Sequence, residues 1–427
     1  MTHSSSRLRR GAVSVMAMGT LMAPLAGGTA FGAPTQAHTT AIDSTATAAA
    51  SAEPPSPSDS PATGVRTLTP AVQRQLVAAV QQVMQEANIP GVTFGVWTPD
   101  QGTYVRSLGV ADKATGQPMA RDMYIRIGSE TKTFTVTALL KLVDEGKIGL
   151  DDPIGKYIDG VPNGDKITLR NLAGMRSGLF NYSEDPGFFK ALTTDPRAPF
   201  TPQQLLDYSF KHPVLFQPGE KFYYCNTNLI LLGLVVEKIS GQPLQDYIKK
   251  NVLTPAGLNH TVFPTDAAFP APHPQGYTDQ TASGQVETAT DWNPSWGWAA
   301  GAIISTLDDL RVWAPTVATG VFPNGTTMIS PATQKQRLTT PPTGIAGAGY
   351  GLGIFNVQGW IGHNGSLPGY ETLTIYLPSA RATLVVVLNT DINYQKVIEP
   401  STLVGQAITK IISPQHVFNL PAQPAAQ

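Results

Sequence analysis

Two β-rich stretches at opposite ends of the chain, separated by mainly helical patterns, constrain its fold more than any other feature. Near the start, "GVTFGVWTPDQGTYVRSLGVAD" reads as two β-rich runs around the turn "PDQG". Near the end, "ETLTIYLPSARATLVVVLNTD" reads as a second strand pair around "PSAR", followed by a helix-compatible stretch to about Ile412. Ahead of the first pair, "TPAVQRQLVAAVQQVMQEANIPG" spaces Val72, Leu76, Val80, Val83 and Met84 as one helical face between a threonine-proline start and a glycine stop. Between the ends lie the helical patterns "TKTFTVTALLKLVDEGKIGL", "TPQQLLDYSFK", "LILLGLVVEKISGQPLQDYIKKNVL" and "TLDDLRVWAPTVATG". The expected fold is therefore α/β in the α+β sense, with one antiparallel sheet built from both chain ends, flanked by helices, and a mainly helical region inserted between. The two ends must meet in space, so the halves are not expected to fold separately. There is no internal repeat.

With 29 Lys+Arg against 30 Asp+Glu, the chain lacks the global field that would attract nucleic acid or an anionic membrane. Its 41% hydrophobic share can fill a sizeable core. Cys225 is the single cysteine, which excludes an internal disulfide and a thiolate metal cluster, and the seven histidines show no paired ligand spacing. No metal or other cofactor is expected.

Residues 1–33 read as a secretory signal: Arg7, Arg9 and Arg10 precede an apolar run of small residues, with cleavage sites near Ala33 or Ala37. Glycine and proline interrupt that run before it could span a bilayer, and no later segment is long and apolar enough. Residues 34–66, rich in Ala, Ser, Thr and Pro, read as a flexible linker. The expected organisation is completed by a folded domain over 67–415 and a flexible tail over 416–427, in a secreted monomer.

In "IGSETKTFTV", Ser129 and Lys132 stand at i and i+3 at the head of what reads as a long amphipathic helix, so both side chains share a face. A helix start favours an oxyanion, and a desolvated neutral lysine can act as base for a serine hydroxyl. Taken alone, this short pattern also fits a capping serine followed by a solvated lysine. Two further elements decide its reading. Tyr224-Cys225-Asn226 follows about 95 residues on, its alternation placing phenol and amide on one side, and His363-Asn364-Gly365 follows about 140 residues later, just ahead of a predicted strand.

This layout resembles the serine β-lactamase and DD-peptidase superfamily, particularly class C β-lactamases and secreted D-alanyl-D-alanine carboxypeptidases. "LVDEGKIGLDDPIGKYI", "ITLRNLAGMRSGLFNY", "QPGEKFYYCNTNLILLGLVVEKISG" and "YGLGIFNVQGWIGHNGSLPGY" are also similar to that family, over roughly residues 68 to 412. The resemblance implies a β-lactamase/transpeptidase-like fold and an acyl-serine mechanism. Ser129 would attack a carbonyl, Lys132 and Tyr224 would exchange protons, and His363 would add a donor near Tyr224. Asn226, Asn364, Gly365, Ser366 and Trp296 would bind substrate, and the backbone N–H groups of Ser129 and Ser366 would form the oxyanion hole.

The implied substrate is a D-amino-acid peptide such as a peptidoglycan stem, cleaved by a carboxypeptidase-type reaction, with β-lactamase, esterase and D-aminopeptidase activities as alternatives and a non-catalytic penicillin or cell-wall sensor as the rival of another class. Two departures weigh on the carboxypeptidase. Asn364 replaces the usual threonine, and Phe355 stands where such an enzyme can carry an arginine for the terminal carboxylate. Cys225 reads as a small packed hydrophobe, Tyr182 as either cleft wall or core, and His212, His260 and His273 receive no role. There is no G-x-S-x-G elbow, P-loop or dinucleotide glycine pattern.

Overall fold

The computed structural model describes residues 64–420, so the expectations for 1–33, most of the linker and 421–427 lie outside the described residues. Helix α1 (Pro70–Glu86) starts at Thr69, whose hydroxyl accepts the Val72 N–H, and buries Val72, Leu76 and Val80. The hairpin strands β1 (Gly91–Thr98) and β2 (Gly102–Gly109) follow. Five more strands come from the C-terminal part: β3 (Ala348–Tyr350), β4 (Phe355–Val357), β5 (Trp360–Leu367), β6 (Tyr370–Leu377) and β7 (Ala382–Leu388).

They form one antiparallel sheet in the order β2-β1-β7-β6-β5-β4-β3, in which β1 pairs directly with β7 and so joins the two chain ends. His363 lies inside β5, which the sequence had placed just before a strand. The ladder between β5 and β6 runs from Tyr376↔Ile361 to Tyr370↔Leu367.

The middle of the chain supplies α2 (Thr131–Asp144), α3 (Asn226–Ser240) and α4 (Leu307–Thr319), and α5 (Pro400–Ile412) closes the fold. Helices α1 and α5 cover one face of the sheet, while α4 packs on the other, toward the helical region.

Helix α2 departs from the expected amphipathic pattern, because residues 131–140 and Leu142 are all buried. Each of its threonines finds a partner inside the protein. The Thr133 hydroxyl accepts the Trp313 indole N–H (2.8 Å), Thr135 donates to Ala299 O (2.7 Å), and the Thr137 hydroxyl accepts from buried Arg337 (2.6 Å). Its first turns, which carry Lys132, are thus enclosed on all sides, which suits residues that must be held still.

The domain boundaries also shift. Val65 is fully buried and the Arg66 N–H bonds Ile412 O, so packed structure begins before residue 67. At the other end Phe418 is buried, its N–H bonds the Thr409 hydroxyl (2.9 Å), and His416 O accepts the Trp360 indole N–H (2.7 Å). Residues 416–420 are therefore packed chain, contrary to the expected flexible tail. Among the described residues no helix is long and apolar enough to cross a membrane.

Candidate active site

Ser129 lies in a 3-10 turn, Gly128–Glu130, that leads into α2. The turn is pressed against β5. A Cβ on Gly128, whose φ is +51°, would lie 2.6 Å from the Ser366 N, and one on Gly365 would lie 1.9 Å from Ile127 O. Both glycines are needed for this approach, which places the Ser366 backbone beside Ser129.

One turn on, the wholly buried Lys132 donates to Ser129 Oγ (2.8 Å) and to Ala300 O (2.9 Å). Burial disfavours its charged form and holds the amine well below the usual lysine range. Ala300 belongs to a short turn of helix, Trp298–Gly301, fastened along α2 by the Thr135 bond and by Ile303 N–H donating to the Thr131 hydroxyl (3.1 Å).

Tyr224, Cys225 and Asn226 enter as the chain turns into α3. Cys225 is extended, which puts its neighbours on the same side while its own thiol is buried toward Leu179 O and pushed up to about 12 by burial. The Tyr224 ring lies 4.8 Å from Lys132 Nζ. Burial raises its phenol strongly, and the neighbouring Ser129 hydroxyl opposes that rise. Asn226 is fixed by its Nδ2 donating to Ser183 Oγ (3.1 Å) and its N–H to Asn181 Oδ1 (3.1 Å).

His363 lies near Tyr224, with ring centroids 6.1 Å apart, but bonds elsewhere, and Asn364 faces away from the cleft. The His363 ring is buried, with Nε2 3.2 Å from the Tyr350 hydroxyl and Nδ1 2.5 Å from Asn364 O. It therefore supports an aromatic cluster of Tyr224, Tyr350 and Phe355 and gives no hydrogen bond to Tyr224. Burial above all depresses it to about 3, so it is a neutral imidazole.

Alternation along β5 turns Asn364 to the opposite face. It lies across from Leu373, which packs on Gly405 of α5, and its Nδ2 donates to Glu399 Oε2 (2.5 Å). Asn364 is thus removed from the expected substrate-binding set, because its amide is engaged behind the sheet.

The cleft in front of Ser129 has a volume of about 240 Å³ and is lined also by Asn226, Trp296, Ser366 and Tyr182. Tyr182 is both wall and core: it is fully buried and donates to Trp296 O (2.6 Å).

Other wall residues escaped the sequence reading. Phe188, Phe189 and Leu192 come from the helix Pro186–Thr194, and Gln280 comes from a loop. The start of that helix was legible in "DPGFF", since Asp185 caps it by accepting the Phe188 N–H (2.9 Å). The Asp185 carboxylate also meets Lys211 (2.9 Å) and His212 (2.6 Å), which gives that histidine an anchoring contact. No signal marked Gln280. Among the described residues no group of three or more His, Cys, Asp or Glu could hold a metal ion.

Comparison with known proteins agrees with this geometry. The Beta-lactamase family profile matches residues 76–407. A protein of Escherichia coli O157:H7 described as a candidate D-alanyl-D-alanine carboxypeptidase is 33% identical over 43% of this chain and 45% of its own length. The D-aminopeptidase of Brucella anthropi is 26% identical over 74% of this chain and 59% of its own. The chain thus spans about half the length of these curated relatives. Among solved structures, a D-stereospecific amidohydrolase from Streptomyces sp. superposes with a TM-score of 0.66 at 30% identity, over 74% of this chain and 94% of that one. The sheet, the pairing of Ser129 with buried Lys132, and the profile agree that this chain belongs to the Beta-lactamase family of serine hydrolases.

Proposed function

We propose that the protein is an exported, monomeric hydrolase that cleaves amide or ester bonds at D-amino-acid residues through an acyl-serine intermediate, acting best where no free carboxylate flanks the scissile bond. The contact of 2.8 Å between Lys132 Nζ and Ser129 Oγ, with the amine buried and its pKa depressed, carries this reading. Ser129 Oγ bonds to the carbonyl carbon while its proton passes to neutral Lys132. Tyr224, whose hydroxyl neighbours Ser129 and whose ring lies 4.8 Å from Lys132 Nζ, relays a proton to the leaving nitrogen or oxygen as that bond breaks. Water then attacks the acyl ester, gives its proton to the same relay, and Ser129 is restored as the acid leaves. The backbone N–H groups of Ser129 and Ser366 hold the oxyanion, Asn226 the acyl-side amide, and Trp296 walls the cleft.

The carboxypeptidase expected from the motifs is narrowed for three reasons. None of the described residues lining the cleft is arginine, lysine or histidine. Phe355 is packed among aromatics, and Asn364 is tied to Glu399. A terminal carboxylate would therefore lack a charged partner. The names of the relatives, a D-stereospecific amidohydrolase, a D-aminopeptidase and a candidate D-alanyl-D-alanine carboxypeptidase, share the D-configuration and support that part of the reading. Export rests on the arginine-led apolar N-terminal stretch.

The test is turnover of D-alanine p-nitroanilide, its L-isomer and a D-Ala-D-Ala peptide with a free carboxylate. Intact mass after mixing with benzylpenicillin is followed over time, with Ser129→Ala alongside. Preference for the D-anilide, lost in Ser129→Ala, is expected. Near-normal turnover by Ser129→Ala overturns the mechanism. Faster cleavage of the free-carboxylate peptide restores the carboxypeptidase, and rapid penicillin consumption marks a β-lactamase.

A further inference from the structure

Behind the cleft, the chain leaving β7 passes between two of its walls. Asp391, 3% exposed, accepts the Gly369 N–H at Oδ1 (2.8 Å) and the Thr278 hydroxyl at Oδ2 (3.1 Å), and the same Oδ2 takes the Gln280 side-chain amide. Gln280 lines one side of the cleft. Leu367 and Pro368, immediately before Gly369, line another beside Ser366. The two walls touch directly, since a Cβ on Gly369 (φ +90°) would lie 2.8 Å from the Gly276 backbone. Nearby, the Tyr277 N–H bonds Asn389 O (3.1 Å) and the Thr390 hydroxyl donates to Tyr277 O (2.9 Å).

A carboxylate surrounded by three donors is poorly replaced by an amide, which keeps one acceptor and turns N–H groups toward donors. We propose that Asp391 is a positioning residue for substrate, holding the Thr278–Gln280 wall and the Leu367–Gly369 turn at the spacing the substrate needs while taking no part at the Ser129–Lys132 pair. The inference rests on the acyl-serine reading, which makes this cleft the substrate site.

Burial raises the Asp391 carboxyl to about 7 against its three hydrogen bonds, and Asp279 on the same loop adds to the rise. Glu371 on β6 is the other acid whose field it shares. Above that pH the carboxylate accepts all three bonds. Below it, the protonated group gives up an acceptor, so substrate binding weakens toward acid.

The experiment compares kcat and KM for the wild type, Asp391→Asn and Thr278→Val over roughly pH 5.5 to 8.5. Its substrates are p-nitrophenyl butyrate and D-alanine p-nitroanilide, and Ser129 labelling by a fluorophosphonate and melting are recorded for each protein. At the alkaline end Asp391→Asn is expected to raise KM about tenfold, the worth of one hydrogen bond to a charged group, with kcat and labelling within twofold of wild type. Wild-type KM rises as pH falls through 7, and the variant's stays flat. Thr278→Val removes one donor away from the cleft and raises KM by a smaller factor.

An Asp391→Asn KM within twofold of wild type, or a wild-type KM unchanged across the range, overturns the proposal. Equal losses of kcat and labelling do so as well, since they mark a role in the fold alone. Should Asp391→Asn fail to fold, Thr278→Val and the wild-type profile decide by the same criteria. The ester pattern without any turnover of the D-anilide would remove the D-residue reading and leave the role of Asp391 standing.

Discussion

Lys132 Nζ stands 2.8 Å from Ser129 Oγ although no part of the lysine reaches solvent. An ammonium there would meet one hydroxyl and one carbonyl and no described carboxylate, so its neutral form is favoured and the pair is poised for proton transfer.

Lys132→Met should reduce kcat/KM about a thousandfold, within the range for loss of a general base. The unbranched apolar side chain fills the same buried channel, so the melting temperature should hold or rise. In the wild type, kcat should climb with pH as the amine loses its proton. His363→Gln should leave that limb in place and lower the melting temperature, because His363 is already neutral and its ring serves Tyr350. Steady-state pH profiles and melts check both.

Glu130, next to Ser129, is buried, and burial raises its carboxyl from 4.5 to about 8 while Thr372 and Thr374 pull the other way. Its stability contribution is complete below the unfolded value and is lost as pH rises toward the folded one, where the unfolded chain ionises first. Glu130→Gln should therefore melt increasingly above wild type as pH goes from about 5 to about 8. A constant difference would contradict the assignment.

Gly365→Ala would thrust a methyl group into Ile127 O, at 1.9 Å without relaxation. The strand must move off the turn that carries Ser129. A stability loss of about 1–3 kcal/mol, with a fall in the rate of fluorophosphonate labelling, is expected from denaturant melts and labelling kinetics.

The two asparagines of the motifs should separate cleanly. Asn226→Ala, in the cleft, should lower kcat/KM about tenfold. Asn364→Ala, bonded to Glu399 behind the sheet, should change KM less than twofold and cost about 1–2 kcal/mol of stability.

Helical repeat and strand alternation act over a few residues, and they suffice for much of this protein. The spacing of Ser129 and Lys132, the shared side of Tyr224 and Asn226, the strand pairs at both chain ends and the helices α1 and α5 were all legible for that reason. The burial of α2 on all sides was not legible, because a hydroxyl facing water and one bonded to Trp313 or Ala299 have the same sequence. His363 and Asn364 were read without the sheet. Whether a residue of β5 faces Tyr350 or Glu399 depends on which layers cover the two faces, and distant segments supply those layers. Asp391 and Gln280 became visible only in space, since the hydrogen bond between them joins residues 111 positions apart and no local pattern encodes such a contact.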